Sequence, residues 1–196
     1  MARKIDPNKR DAILKSAREL FKQCGVERTT MAQIAGKAGI ATGTIYLYFN
    51  SKSQIVDALC DYYLLDNIKA VAPEYENPDI HKAISGAIHA SLKHAAENAD
   101  LVRLIDLRRS NGGKTKRPQA DKVVQKTLRE GLAKYIREGS MRPYNVVVMA
   151  ELISGMLEWI SKVCFVWSDV DPMRYEDTLV EMLRHALLIN YEEKQV

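Results

Sequence analysis

Two short stretches, Thr30-Met-Ala-Gln33 and Ser51-Lys-Ser-Gln54, do most to constrain what this chain can fold into. Each places a hydroxyl three residues ahead of a glutamine. In that pattern the hydroxyl accepts an amide hydrogen of the first helical turn and the glutamine reaches back to the cap. Two helix starts are thus set close together, and Gly39 between them supplies a turn able to hold φ > 0. Upstream, Asp6-Pro7 opens an earlier helix, the aspartate as cap and the proline at the first helical position. Ile13, Ala17, Leu20 and Phe21 share one face of that helix, and Gly25 ends it. The expectation is a helix to about 24, short helices over 30–37 and 42–49, and a long helix over 51–71. Pro73 and APEYENP then read as a linker, followed by helices near 79–98, 100–110, 117–138, 143–168 and 172–192. Apolar residues recur at helical spacing throughout and alternating β-branched runs are nearly absent, so the fold class is all-α.

The segment GIATGTIYLYFNSKSQI, residues 39–55, is too hydroxylic for a core helix and too aromatic for a solvated one. On a helical wheel Ile45 and Phe49 share a face. Gly43, Thr44 and Leu47 lie opposite, flanked by Tyr46 and Tyr48. A small-centred outer face of this kind suits the DNA major groove. Thr44 and Leu47 can meet base edges, and the tyrosine hydroxyls can reach phosphates. The preceding helix, Gly39 and this helix read as a helix-turn-helix. Thr30 and Lys52 stand at helix N-termini, whose free amides attract phosphate, and Arg3 and Lys4 form a basic arm suited to a minor groove.

Charge supports that reading. The net charge is +4, yet residues 1–52 hold ten Lys and Arg against four Asp and Glu, while residues 53–196 hold 19 against 21. The positive excess belongs to an N-terminal module, 1–52, suited to a polyanion, carried on a near-neutral body, 53–196.

The stretch TTMAQIAGKAGIATGTIYLYFNSKSQIVDAL resembles the N-terminal signature of the TetR family of bacterial regulators. The resemblance covers about residues 8–60. It rests on the Thr-Thr opening, the Ala-Gly-Ile turn, Gly-Thr-Ile-Tyr-x-Tyr-Phe and the Ser-Lys start of the next helix. It implies a homodimer of about nine helices, in which a three-helix DNA-binding domain is carried on a larger ligand-binding and dimerisation domain. It also implies contacts to double-stranded operator DNA at Thr30, Thr42, Gly43, Thr44, Tyr46, Tyr48 and Lys52, and a small-molecule pocket in the C-terminal domain. The sequence departs from the family at Ala41-Thr42, where members carry Ser-Lys or a similar polar pair, so a cap and a cation are missing there.

In the body, helix 143–168 is apolar nearly all the way round and must be buried on two sides. Helix 172–192 carries a cleaner stripe. Two such helices per chain would build an intermolecular four-helix bundle, with Ile153, Leu157, Leu179, Leu183 and Leu187 at the dimer interface. Arg108 shares a face with Leu104 and Ile105, and Arg109, Lys114, Lys116 and Arg117 crowd nearby. The segment LIDLRRSN is similar to one in the TetR branch that responds to fatty acyl-CoA. That resemblance implies an acyl-CoA effector, held by Arg108, Arg109 and Leu104 and by apolar residues such as Met156 and Trp159. A cationic or hydrophobic drug, as sensed by regulators of efflux systems, is the competing effector. Glu151 or Glu158 beside Trp159 would then bind it.

Cys24, Cys60 and Cys164 are odd in number and far apart, and read as reduced thiols of a cytoplasmic protein. No apolar run is long enough to cross a membrane. No zinc-ligand spacing, phosphate loop or nucleophile elbow is present, so no metal, cofactor or catalysis is expected. The function expected is a repressor released from its operator by a small molecule. The reading from a different class is an all-α ligand-binding or enzymatic bundle that does not bind DNA.

Overall fold

Side-chain caps set where most helices of this chain begin. The computed structural model describes residues 6–110 and 119–189, with side chains described for all of these but 109, 110 and 119. Asp6 caps α1, Pro7–Cys24, by accepting from the Asn8 amide at 3.0 Å. Gly25 follows at φ +80°, a conformation that favours glycine. The full capping box forms at α2, Met31–Lys37: the Gln33 amide donates to Thr30 Oγ1 at 3.2 Å, and the Thr30 amide to Gln33 Oε1 at 2.8 Å. Gly39 turns the chain at φ +69° into α3, Thr42–Ile45. This helix is shorter than the 42–49 expected. Beyond Ile45 the backbone tightens to a turn, with the Leu47 amide on the Thr44 carbonyl and the Tyr48 amide on the Ile45 carbonyl. The second box is offset: the Gln54 amide donates to Ser51 Oγ, but Gln54 Oε1 accepts from the Asn50 amide rather than from that of Ser51.

The long helix α4, Lys52–Val71, continues as a 3-10 helix, Ala72–Glu76, where a linker was expected. This segment is packed, with the Tyr75 ring against Gly131 and Tyr135 Oη donating to the Tyr75 and Asn77 carbonyls at 3.1 and 2.6 Å. Then come α5, Ile80–Glu97, α6, Ala99–Ser110, and α7, Gln119–Arg137. Asn145 caps α8, Val146–Lys162, so that helix starts later than the 143 expected. Its last turn widens to a π-helix, Val163–Trp167. A 3-10 helix, Pro172–Tyr175, leads into α9, Glu176–Leu187, which is shorter than the expected 172–192. Among the described residues the only β-type pairing is an isolated bridge between Met141 and Leu188.

The chain divides into two compact units, Met1–Asp61 and Tyr62–Val196. The division falls inside α4 rather than at residue 52. The first unit is cored by Ile13, Ala17, Phe21, Ile34, Ile45 and Phe49. The core of the second joins α5, α7, α8 and α9 through residues such as Leu92, Leu132, Ala150, Ile153, Leu179 and Leu183. This core settles one expectation differently. Ile153, Leu179, Leu183 and Leu187, read as the dimer interface, are buried in their own domain. Their spacing marks a buried face correctly, but the face is spent inside the chain.

Candidate nucleic-acid interface and ligand cavity

The helix-turn-helix presents the surface its wheel pattern implied. Ile45 and Phe49 are 0% and 4% exposed beneath it, while Tyr46 and Leu47 stand 48% and 54% exposed above. Large side chains at that exposure on a short element, next to an open glycine, present about half of their surface to another molecule. A Cβ added at Gly43 would meet nothing within 4 Å, so another molecule's edge can approach the backbone there. Thr42 is exposed, and Thr44 and Tyr48 are half-exposed. Tyr48 Oη accepts from the Asp6 amide at 3.3 Å, tying the N-terminal cap to the recognition segment. Arg3 and Lys4, the basic arm before that cap, lie outside the described residues.

Lys52 differs from the expectation. Its Nζ donates to the Val26 and Glu27 carbonyls at 2.8 and 3.0 Å, so two of its three donors are committed to the α1–α2 loop. The same loop is held by Thr29 Oγ1 on the Gly25 carbonyl and by Arg28 Nε on the Cys24 carbonyl, each at 2.8 Å. Lys52 is thus primarily a loop anchor. What the start of α4 offers a phosphate is chiefly its free backbone amides. Thr30 keeps its place at the start of α2, with its hydroxyl engaged in the capping box. Lys37 is paired with Glu19 at 2.9 Å, and this neighbour holds the Glu19 carboxyl below the usual range.

The second unit contains a cavity lined from α4 through α9. Its volume, about 210 Å³, is more than ten times the roughly 10–15 Å³ that one water requires, so it has room for a ligand. The lining is mainly aliphatic, with few polar groups. Lys162 Nζ pairs with Asp106 Oδ1 at 2.7 Å, both largely buried, which ties α6 to the end of α8. Gln125 Nε2 donates to Ser154 Oγ at 3.0 Å between α7 and α8. Tyr63 and Tyr75 stand at the α4 side, and burial pushes both phenols above the usual tyrosine range.

This wall is not the expected one. Leu104 is buried and Arg108 half-buried, but neither lines the cavity, and Val102, Ile105 and Asp106 present α6 to it instead. The Arg109 side chain and residues 111–118 lie outside the described residues. Met156 and Trp159 belong to the other side of α8, where Trp159 is 59% exposed. Leu157, expected at the dimer interface, lines the cavity. One signal for the real wall was in the sequence: Ser154, Glu158 and Lys162 recur every four residues through a mainly apolar helix, making one polar stripe. On the opposite side of α8, Leu152, Gly155, Met156 and Trp159 join Thr178 and Met182 of α9 in an open apolar groove.

A solvent-facing recognition segment on a three-helix unit defines a helix-turn-helix DNA-binding protein. Residues 13–59 match the family described as "Bacterial regulatory proteins, tetR family", so over this DNA-binding domain the chain is similar to that family. It is 29% identical over 147 residues to the transcriptional repressor KstR2 of Mycolicibacterium smegmatis, covering 69% of each chain. Four other curated relatives are matched over only 25–35% of their length. Among solved structures it resembles FadR of Bacillus subtilis in complex with stearoyl-CoA, with TM-score 0.74, 21% identity, and 88% of this chain and 96% of that one covered. It also resembles SmeT, repressor of the Stenotrophomonas maltophilia multidrug efflux pump SmeDEF, with TM-score 0.72, 19% identity, and coverage of 93% and 91%. Likeness at that identity extends to the fold.

Proposed function

We propose that this chain is a homodimeric transcriptional repressor, without catalytic activity, that leaves its operator when a small molecule fills the cavity of the second unit. The observation that carries this reading is the exposed Gly43, Tyr46 and Leu47 over buried Ile45 and Phe49. Bases are read by Thr44 and Leu47. Phosphates are held by Tyr46, Tyr48, Thr42 and the amides at Thr30 and Lys52, and the arm with Arg3 and Lys4 extends the contact. Dimerisation uses the outer groove of α8 and α9. A dimer is what two half-sites one helical turn apart require. Coupling runs along α4, which carries Lys52 in the first unit and the cavity residues Tyr63 and Ile68 in the second.

The effector reading follows two lines. A fatty acyl-CoA is supported by the FadR likeness and by the aliphatic walls. A cationic or hydrophobic drug is supported by Asp106, Asp121 and Glu158 on the lining. The test is a gel shift on the DNA upstream of the chain's own gene, repeated with acyl-CoAs of several lengths and with hydrophobic cations. Retarded DNA released by one class establishes both the function and the class. DNA that is never retarded overturns the repressor reading.

A further inference from the structure

The recognition segment carries no charge of its own. Residues 38–51 contain no Lys, Arg, Asp or Glu. The lysines that flank them are engaged, Lys37 with Glu19 and Lys52 with the Val26 and Glu27 carbonyls. A cation reaches this segment from α1 instead. Arg10, exposed in the first turn of α1, sets its guanidinium 5.4 Å from the centroid of the Phe49 ring. Two backbone donors lay that turn along the segment: the Asp6 amide donates to Tyr48 Oη, and the Arg10 amide to the Asp6 carbonyl, each at 3.3 Å. Positions 6 and 10 are one helical turn apart and share a face, and they meet Tyr48 and Phe49 in turn. Phe49 is buried in the core of the first unit, so its ring is a fixed seat for the arginine.

The ring attracts the charge of the cation and does not use its N–H groups, so the five donors of the guanidinium stay available. Among the described residues that guanidinium makes no ion pair and no hydrogen bond. Tyr48 Oη accepts from Asp6 and so keeps its hydroxyl hydrogen for another acceptor. We propose that Arg10 is a ligand of the DNA backbone: held on the Phe49 ring, its guanidinium binds a phosphate at the rim of the recognition segment, beside the Tyr48 hydroxyl. The proposal rests on the reading of this segment as DNA-binding and supplies the cation that the segment lacks. A planar guanidinium matches two phosphate oxygens with two parallel N–H groups. Phe49 lies on the face opposite Gly43, Thr44 and Leu47, so Arg10 approaches from the rim and not through the base-reading face. Its contact fixes register and adds affinity without reading sequence.

The test uses the full-length protein and two duplexes of equal length, the DNA upstream of the chain's own gene and a random sequence. Binding is followed by fluorescence anisotropy over a series of salt concentrations. Arg10→Gln should lower the slope of log K against log salt by about 0.9 for each protomer bound, on both duplexes, and leave the ratio of the two affinities as in wild type. Arg10→Lys, which keeps the charge, should restore the slope. Lys15→Gln removes another exposed cation of α1 and should change the slope by clearly less. Neutral methylphosphonates placed one at a time along the tighter-bound duplex then locate the contact. Wild type should lose affinity at a phosphate where Arg10→Gln is indifferent. An Arg10→Gln slope equal to that of wild type or of Lys15→Gln overturns the proposal, as does a methylphosphonate profile shared by wild type and Arg10→Gln. Wild-type protein that binds neither duplex at any salt overturns the DNA-binding reading and this proposal with it. Wild-type binding with an unaltered Arg10→Gln slope overturns this proposal alone.

Discussion

At residue scale, Leu47 and Lys52 show how exposure separates roles that sequence position alone leaves together. Leu47 is over half exposed between Tyr46 and Tyr48, where an isobutyl group has only another molecule to meet, and a thymine methyl is the apolar feature of a major groove. Leu47→Ala should therefore change preference among operator variants by about 1–3 kcal/mol at a contacted base pair, while non-specific affinity stays close to wild type. Competition binding against a set of single-base operator variants measures this, and an unaltered preference profile would remove Leu47 from the readout. Lys52 was legible as a cation at a helix start. Its two carbonyl partners, 25 and 26 residues away, were not, because no local pattern announces them. Lys52→Met should lower stability by about 1.5–3 kcal/mol, the range for hydrogen bonds made by a charged donor, as measured by urea unfolding. The slope of log K against log salt should fall by clearly less than one, the amount that loss of a phosphate contact would give. A full-unit drop with unchanged stability would return Lys52 to the phosphates.

At element scale, the first unit was readable because its determinants are local. A hydroxyl and a glutamine three apart make the Thr30 cap, one glycine makes the turn at 39, and Ile45 and Phe49 are one helical turn apart. The second unit was less readable because periodicity tells that a face is buried but not against what. The α9 stripe of Leu179, Leu183 and Leu187 was clean, yet it is core. The face left open is the groove with Leu152, Trp159 and Met182. The cavity was illegible for a related reason, since it draws on residues from 63 to 187 whose meeting is purely tertiary. A paired substitution separates the two faces. Leu152→Glu, at 56% exposure, should give a folded monomer by sedimentation, with the circular dichroism of the wild type. Leu183→Glu puts an unpaired charge into the core and should give unfolded or insoluble protein. A Leu152→Glu chain that stays dimeric would place the interface elsewhere.

At the scale of the whole molecule, a repressor needs its cavity and its recognition segments to bias one equilibrium, and α4 is the covalent element common to both units. A ligand can shift that equilibrium only by its differential affinity for the two conformations. The coupling is then reciprocal: if the ligand lowers operator affinity by some factor, the operator lowers ligand affinity by the same factor, typically about 5- to 150-fold. With whichever acyl-CoA or hydrophobic cation releases the operator, dissociation constants measured with and without saturating operator should differ by the factor found when operator affinity is measured with and without saturating ligand. Leu152→Glu adds a second arm. The monomer keeps the cavity, whose lining does not include residue 152, but it presents one recognition segment instead of two. Its ligand affinity should match wild type while its affinity for the full operator falls to that of a single half-site. Equal ligand affinity with and without operator in the wild-type protein would mean that the two units are uncoupled, and that repression is relieved by something other than a molecule in this cavity.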